Sequence, residues 1–291
     1  AVAGVTGTNG KTTTAWIIRH LCDAAGRACG LVGTIEYVLP GVVEPASRTT
    51  PESIDLQRML AVMRDGGFKA ASLEVSSHAL VQNRVRGVEF DAAIFTNLTQ
   101  DHLDYHGTMD EYFDAKALLF SMLAAQRGKK GRAVVNSDDR YGRRLLDRIG
   151  SSVPVITYGQ GSNCAFRASN IRHAATGTTF RLDAKGRSYL VRTPLIGLFN
   201  VYNTVAALAA AVAMTVGISV MIHSFRGSVV SWAGRTLTAD LFIAPASNEL
   251  LGLEHTIPES AAAWWSARPE VAAVGTCLLY TSPSPRDRTR S

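Results

Sequence analysis

The sequence predicts an α/β fold: a parallel sheet with flanking helices and a small antiparallel β region. Short apolar runs bounded by glycine or polar residues alternate with longer amphipathic stretches, the order of β-α-β units. The runs are apolar at successive positions, as strands covered on both faces are. The composition, 46% hydrophobic and 19% charged, is that of an ordinary globular chain and excludes collagen, coiled coil and wholesale disorder.

The first strand is expected within residues 1–6 (Ala1-Val2-Ala3-Gly4-Val5-Thr6), which run into a glycine-rich turn. Thr12 to Ala25 follows as a helix closed by Gly26. Further buried strands are expected at Ala70 to Val75, Ala92 to Thr96, Ala133 to Asn136 and Val153 to Tyr158. Helices are expected between them, at Ser53 to Asp65, Met109 to Ala125 and Arg140 to Ile149. From Phe166 to Val191 the pattern changes to short alternating runs with Gly177 and Gly186 at turns, which predicts antiparallel hairpins.

A chain of 291 residues accommodates one large domain or two and buries a core without staples. Residues 1–216 are expected to form one domain. All six lysines lie at or before Lys185, and Trp232, Trp264 and Trp265 fall in the last 60 residues, so the composition shifts after about residue 217. The last residues, Thr281 to Ser291, show no apolar periodicity. Residues 217–291 are therefore expected to be an aberrant or scrambled segment with a non-native tail. The chain opens inside a strand without an initiator Met, so an upstream domain is expected to be missing.

Charge and cysteine content narrow the partners. A net charge of +6 without a dense basic block favours an anionic small molecule over nucleic acid. No run of about 18 apolar residues is found, which argues against a membrane-spanning helix. Cys22, Cys29, Cys164 and Cys277 have no paired spacing, which favours a reducing cytoplasm and argues against structural zinc.

Three polar clusters follow predicted strands. Thr6-Gly7-Thr8-Asn9-Gly10-Lys11-Thr12-Thr13 lies between strand and helix, where backbone N–H groups and the positive helix end hold phosphate oxygens. Lys11 would reach the β- and γ-phosphates and the Thr12 hydroxyl would ligate magnesium. The strict P-loop spacing requires glycine where Val5 stands, so this is a P-loop-type turn rather than an exact match. Glu74 ends a strand, at the sheet edge where α/β folds bind ligands, and is either a second magnesium ligand or a solvated strand end. The third cluster, Asn97 to Gly107, holds two histidines and two aspartates within six residues, in no zinc spacing. It precedes a helix carrying Lys116 among apolar neighbours. That lysine either snorkels to solvent or is modified where a negative charge is needed.

These segments together resemble the Mur ligase family, most closely its UDP-N-acetylmuramyl-tripeptide synthetase (MurE-type) branch. The resemblance rests on Gly4 to Thr14, Thr49-Thr50-Pro51, Glu74-Val75-Ser76-Ser77-His78, Val81 to Val85, Phe95 to Leu98, Asp101 to Gly107, Ala115-Lys116 and Gly197 to Asn203. It implies ADP-forming ligation: ATP activates the D-Glu carboxylate of a UDP-MurNAc-dipeptide as an acyl phosphate, and a diamino acid attacks. Gly7, Thr8, Asn9, Gly10, Lys11, Thr12 and Thr13 would bind ATP phosphates, with Asn200 and Asn203 on the adenine side. Thr12 and Glu74 would share one Mg²⁺. His102 and an N-carboxylated Lys116 would hold a second. Thr49, Thr50, Ser76, Gln82 and Arg84 would contact the UDP-MurNAc-dipeptide, and Arg48 stands where the family often has Asn. The resemblance also implies a cytoplasmic, monomeric enzyme without nucleic-acid or membrane partners, an absent N-terminal domain and a truncated C-terminal one. The alternatives are a folylpolyglutamate synthase-like sister enzyme or an inactive ATP-binding fragment. No Asp-Asn-Pro-Arg-type segment is present, so the sequence does not choose between diaminopimelate and lysine.

Overall fold

A computed structural model describes residues 1–215 together with residues 264, 267 and 268. The chain divides into two compact units, Ala1–Gly227 and Ser228–Ser291. Everything below concerns the first. The boundary expected after residue 216 and the segment expected to be aberrant lie outside the described residues.

The unit begins with β1 (Val2–Thr6), α1 (Lys11–Ala24) and a meander of β2 (Cys29–Val32), β3 (Glu36–Leu39) and β4 (Val42–Pro45). Then come α2 (Ser53–Asp65), β5 (Ala70–Glu74), α3 (Ser77–Val81), β6 (Ala92–Phe95), α4 (Leu103–His106) and α5 (Met109–Ala125). The chain continues through β7 (Arg132–Asn136), α6 (Arg140–Ile149), β8 (Val155–Gly159), β9 (Phe166–Ala174), β10 (Gly177–Ala184) and β11 (Arg187–Thr193). A last helix, α7, covers Leu198–Thr215.

All eleven strands form one sheet, in the order β11-β10-β9-β8-β7-β6-β1-β5-β2-β3-β4. Its centre, from β2 through β9, is parallel, and antiparallel strands extend both edges. The expected hairpins after Phe166 are present, but they continue the main sheet rather than forming a separate region. The hairpins of β2, β3 and β4 had no clear signal. β2 is only four residues, Cys-Gly-Leu-Val, and every residue of β4 is exposed, so neither carries the alternation that marks a half-buried strand.

Each central strand contributes to two cores. Ala92 and Ile94 of β6 point to the face covered by α1 and α7, with Ala15, Ile18, Val205 and Ala209. Ala93 and Phe95 point to the opposite face, with Leu56 of α2, Leu80 of α3, Phe120 of α5 and Leu145 of α6. This double burial explains why the strand runs are apolar at successive positions. β1 lies between β5 and β6. The chain leaves β1 through α1 on one face and leaves β6 through α5 on the other, so the order reverses between these strands. That makes the crevice at their carboxyl ends the ligand position of an open α/β sheet.

α7 bears on the membrane expectation without overturning it. With a mean hydropathy of 1.4 over Leu198–Thr215, it is by length and composition apolar enough to cross a membrane. Asn200, Asn203 and Thr204 interrupt a continuous apolar run but are absorbed by an 18-residue average. Its apolar character matches its packing: Val201, Val205, Ala206, Ala209, Ala210 and Ala213 are all in the core.

The packing yields a direct check. Ile94→Ala, at a site with no exposure, should cost about 2–5 kcal/mol. Ile54→Ala, 65% exposed on α2, should stay within about 0.5 kcal/mol. Urea midpoints of the two variants should separate accordingly.

Candidate active site

The carboxyl ends of β1, β5, β6 and β7 converge on the loop Gly7–Gly10. Two glycines shape it. Gly7 has φ +146°, and a Cβ there would stand 1.9 Å from Thr96 Oγ1. Gly10, at φ +85°, caps α1, and its Cβ would lie 2.2 Å from Asn203 Oδ1. Both positions need glycine for conformation and for space. The loop is pinned to the segment after β6: Thr8 N–H donates to the Asn97 carbonyl at 2.8 Å, Asn9 N–H to Asn97 Oδ1 at 3.0 Å, and Thr96 Oγ1 to the Asn9 carbonyl at 2.7 Å. Lys11 folds back over this loop, with Nζ donating to the carbonyls of Gly7 (3.0 Å) and Thr8 (2.9 Å). Burial pushes its pKa down, against the opposing pull of Glu74 and Asp101.

Glu74 is 1% exposed. Its carboxylate accepts from Thr12 Oγ1 at 2.8 Å, Thr34 N–H at 2.8 Å and Thr34 Oγ1 at 3.1 Å. Thr13 lies half-buried in the same first turn of α1. Thr34 donates also to Thr49 Oγ1 at 3.1 Å. Sequence reasoning missed Thr34 because the strand preceding it, β2, went unseen.

A second group sits where β5 hands over to α3. Thr50 Oγ1 donates to the Glu74 carbonyl at 2.8 Å and accepts from Ser76 N–H at 3.2 Å. Ser76 Oγ caps α3 by accepting from Ala79 N–H at 3.1 Å. Arg84 donates to the Thr50 carbonyl (3.0 Å) and to Gln82 Oε1 (2.5 Å), and pairs with Glu52 at 3.1 Å. Its buried Nε has no hydrogen-bond partner among the described residues.

Lys116 is 1% exposed. Its Nζ donates to the Gly7 carbonyl at 2.9 Å and stands 4.5 Å from the Tyr112 ring centre. The burial that the sequence left open is therefore settled, and the side chain does not snorkel. Burial, reinforced by the Lys11 charge, holds its pKa well below the ordinary lysine value. His102 caps α4 in a left-handed conformation (φ +52°). It meets Tyr112 edge-on at 6.1 Å and His78 at 5.2 Å. His106 bonds Ser77 Oγ at 2.8 Å, and burial pushes down the pKa of both His78 and His106. Tyr112 thus separates the ammonium of Lys116 from this histidine group.

Asn203 borders the loop from α7 and donates to Asn200 Oδ1 at 3.3 Å. Between loop and helix lies a cavity of about 420 Å³, lined in part by Asn9, Asn97, Asn136, Phe199, Tyr202 and Asn203. Asn136 carried no motif signal, and Phe199 and Tyr202 lie within the Gly197 to Asn203 segment without being singled out, since only the fold brings β7 and α7 to the loop. Among the described residues, no three His, Cys, Asp or Glu side chains are grouped to hold a metal.

The Lys116 environment predicts a pH effect. Its native pKa is depressed below the ordinary 10.5, so the unfolded chain binds the proton more tightly and this residue's contribution to stability rises with pH toward that value. Lys116→Met should therefore be more stable than the parent at pH 7, with the difference shrinking toward pH 10. Urea midpoints across that range in bicarbonate-free buffer test it, and a pH-independent difference would refute it.

Comparison with known proteins agrees with this architecture. The Mur ligase middle domain matches residues 5–211. A protein of Geobacter sulfurreducens named UDP-N-acetylmuramoyl-L-alanyl-D-glutamate–2,6-diaminopimelate ligase is 43% identical over 230 residues, 78% of this chain and 45% of that protein. One of the same name from Geobacillus kaustophilus is 47% identical over 212 residues, 72% of this chain and 43% of the relative. A solved structure of a ligase of that name shares 34% identity at a TM-score of 0.65, covering 72% of this chain and 42% of its own. The chain thus spans less than half the length of these relatives. A glycine loop pinned between β1 and α1, a buried Glu at the end of β5 and a match over residues 5–211 have one common account: the chain belongs to the Mur ligase family and carries its middle domain.

Proposed function

We propose that this domain is the ATP-binding core of an ADP-forming ligase that joins a diamino acid to UDP-MurNAc-L-Ala-D-Glu in peptidoglycan precursor synthesis. The carrying observation is the juxtaposition of Lys11, Thr12 and Glu74 at one glycine loop. It combines a helix N-terminus, a cation and a pair of hard oxygen donors. The names of the relatives at 43% and 47% identity favour diaminopimelate over lysine. The free thiols Cys22, Cys29 and Cys164 suit a reducing cytoplasm.

The residues fit the implied magnesium in part as they stand. Thr12 Oγ1 and Glu74 Oε2, in mutual contact, are the one or two protein oxygens that such an ion takes when phosphates and water complete its shell. Bound there, magnesium would neutralise charge on the phosphate oxygens. A second ion beside His102 fits only if Lys116 becomes an anion. For that, the neutral Nζ attacks carbon dioxide, an N–C bond forms and the amine gives up a proton, leaving a carbamate. Burial favours the neutral amine this step requires.

The chain's own groups account for the rest. Lys11, now held by loop carbonyls, would exchange them for phosphate oxygens, with the loop N–H groups beside it. The D-Glu carboxylate attacks the γ-phosphorus and ADP leaves. The amine of the diamino acid then attacks the acyl carbon, phosphate departs and a proton is lost. Thr49, Thr50, Ser76, Gln82 and Arg84 would position the UDP-MurNAc-dipeptide, for which the unpartnered Arg84 Nε is a ready donor. Asn200 and Asn203 would lie on the base side of ATP.

Calorimetry with Mg²⁺ should show ATP binding that Lys11→Ala weakens at least about tenfold, the value of one charge-assisted hydrogen bond. Equal affinity in that variant would overturn the phosphate assignment. In a full-length ligase carrying this domain, Lys116→Ala should abolish ligation, and bicarbonate should not restore it. Full activity of that variant without bicarbonate would remove the carbamate role.

A further inference from the structure

We infer that Asp138 is a positioning residue for the nucleobase end of the site, holding α7 through Tyr202 as one wall of the cavity. This rests on the nucleotide reading above and adds a residue to it. Among the described residues, the lining of the cavity carries no charged side chain, whereas the cations Lys11 and Lys116 gather at the other side of the loop. An uncharged, flat heterocycle suits the first environment and phosphates the second. Phe199, 68% exposed at the cavity, offers an aromatic face for stacking. The amides of Asn9, Asn97, Asn136 and Asn203 offer donors and acceptors for a heterocycle edge.

Apolar packing sets where α7 lies on the sheet. Asp138 adds a polar restraint on its aromatic wall from outside the cavity, just past the end of β7. Its Oδ2 accepts from the Tyr202 hydroxyl at 2.8 Å and from Gln160 N–H at 2.6 Å. Oδ1 accepts from Gly161 N–H at 3.2 Å. Gln160 Nε2 in turn donates to the Tyr202 oxygen at 2.9 Å. The end of β8 approaches so closely that a Cβ on Gly159 would stand 2.5 Å from Asp138 Oδ2. One carboxylate therefore joins β7, the turn after β8 and the first turns of α7. A hydroxyl bonded to an ionised acceptor is held more firmly than one bonded to a neutral group. The Tyr202 ring, with Phe199 and Asn203 on the same helix, is set by that bond.

A positioning role confined to the base makes a selective prediction. Binding of ADP and of inorganic tripolyphosphate, both with Mg²⁺, is measured for the full chain and for Asp138→Ala, Asp138→Asn and Tyr202→Phe. Asp138→Ala and Tyr202→Phe should each weaken ADP about tenfold while tripolyphosphate changes less than about twofold. Asp138→Asn keeps an acceptor for the hydroxyl and should retain more ADP affinity than Asp138→Ala. Tyr202→Phe retains the aromatic ring but removes the hydroxyl that Asp138 holds, so it carries the test even if Asp138→Ala fails to fold. Equal losses on both ligands, or unchanged ADP binding in Tyr202→Phe, would overturn the inference. A parent chain that binds tripolyphosphate no more weakly than ADP would also overturn it, since the cavity would then contribute nothing. A parent that binds neither ligand removes the nucleotide reading itself.

Discussion

Glu74 is a carboxylate buried at the end of a central strand, and the site is organised around satisfying it. An unpaired charge at that depth would cost several kcal/mol, so every neighbouring segment supplies a donor. α1 contributes the Thr12 hydroxyl, and the turn after β2 contributes both the N–H and the hydroxyl of Thr34. The Glu74 carbonyl receives Thr50 from the segment before α2. One residue thereby sets the start of α1 relative to β2 and to the chain entering α2.

A second constraint is electrostatic. Lys11 and Lys116 both direct their amines at the Gly7 carbonyl, at 3.0 and 2.9 Å, and each is largely withdrawn from water. Loss of hydration on burial lowers both pKa values, and for Lys116 the nearby Lys11 charge lowers it further. A polyphosphate brought to the loop would meet cations already desolvated and already placed, so little reorganisation remains to be done on binding.

The sheet explains why these groups meet. Each central strand is mainly apolar on both faces because helices cover both, and apart from Ser72 in β5 the buried polar residues stand where the strands end. Glu74, Thr96 and Asn136 all occupy strand ends at the same edge. The reversal of connection between β1 and β6 opens the crevice there, and α7 closes one side of it. Gly7 and Gly10 let the backbone pass within contact of Thr96 and Asn203. Side chains at either position would separate loop from wall.

Much of this was written in local sequence. Residues that act through their own short neighbourhood were legible: the glycine loop with Lys11 and Thr12, the strand-ending Glu74, and the helices Ser53–Asp65, Met109–Ala125 and Arg140–Ile149, whose periodicity and caps are local. What depended on distant partners was not. Thr34 matters only because β2 lies beside β5, and β2 is too short and glycine-interrupted to announce itself. Phe199, Tyr202 and Asp138 matter only because α7 returns to β1, β7 and β8 across some forty residues or more. The sequence by itself determined which backbone segments could be strand, helix or phosphate loop, because those choices follow from periodicity, glycine and capping within a few residues. The tertiary structure alone decided that Lys116 is buried rather than solvated and that four asparagines, two tyrosines and a phenylalanine line one cavity, because burial and enclosure are properties of packing between elements that no local pattern encodes.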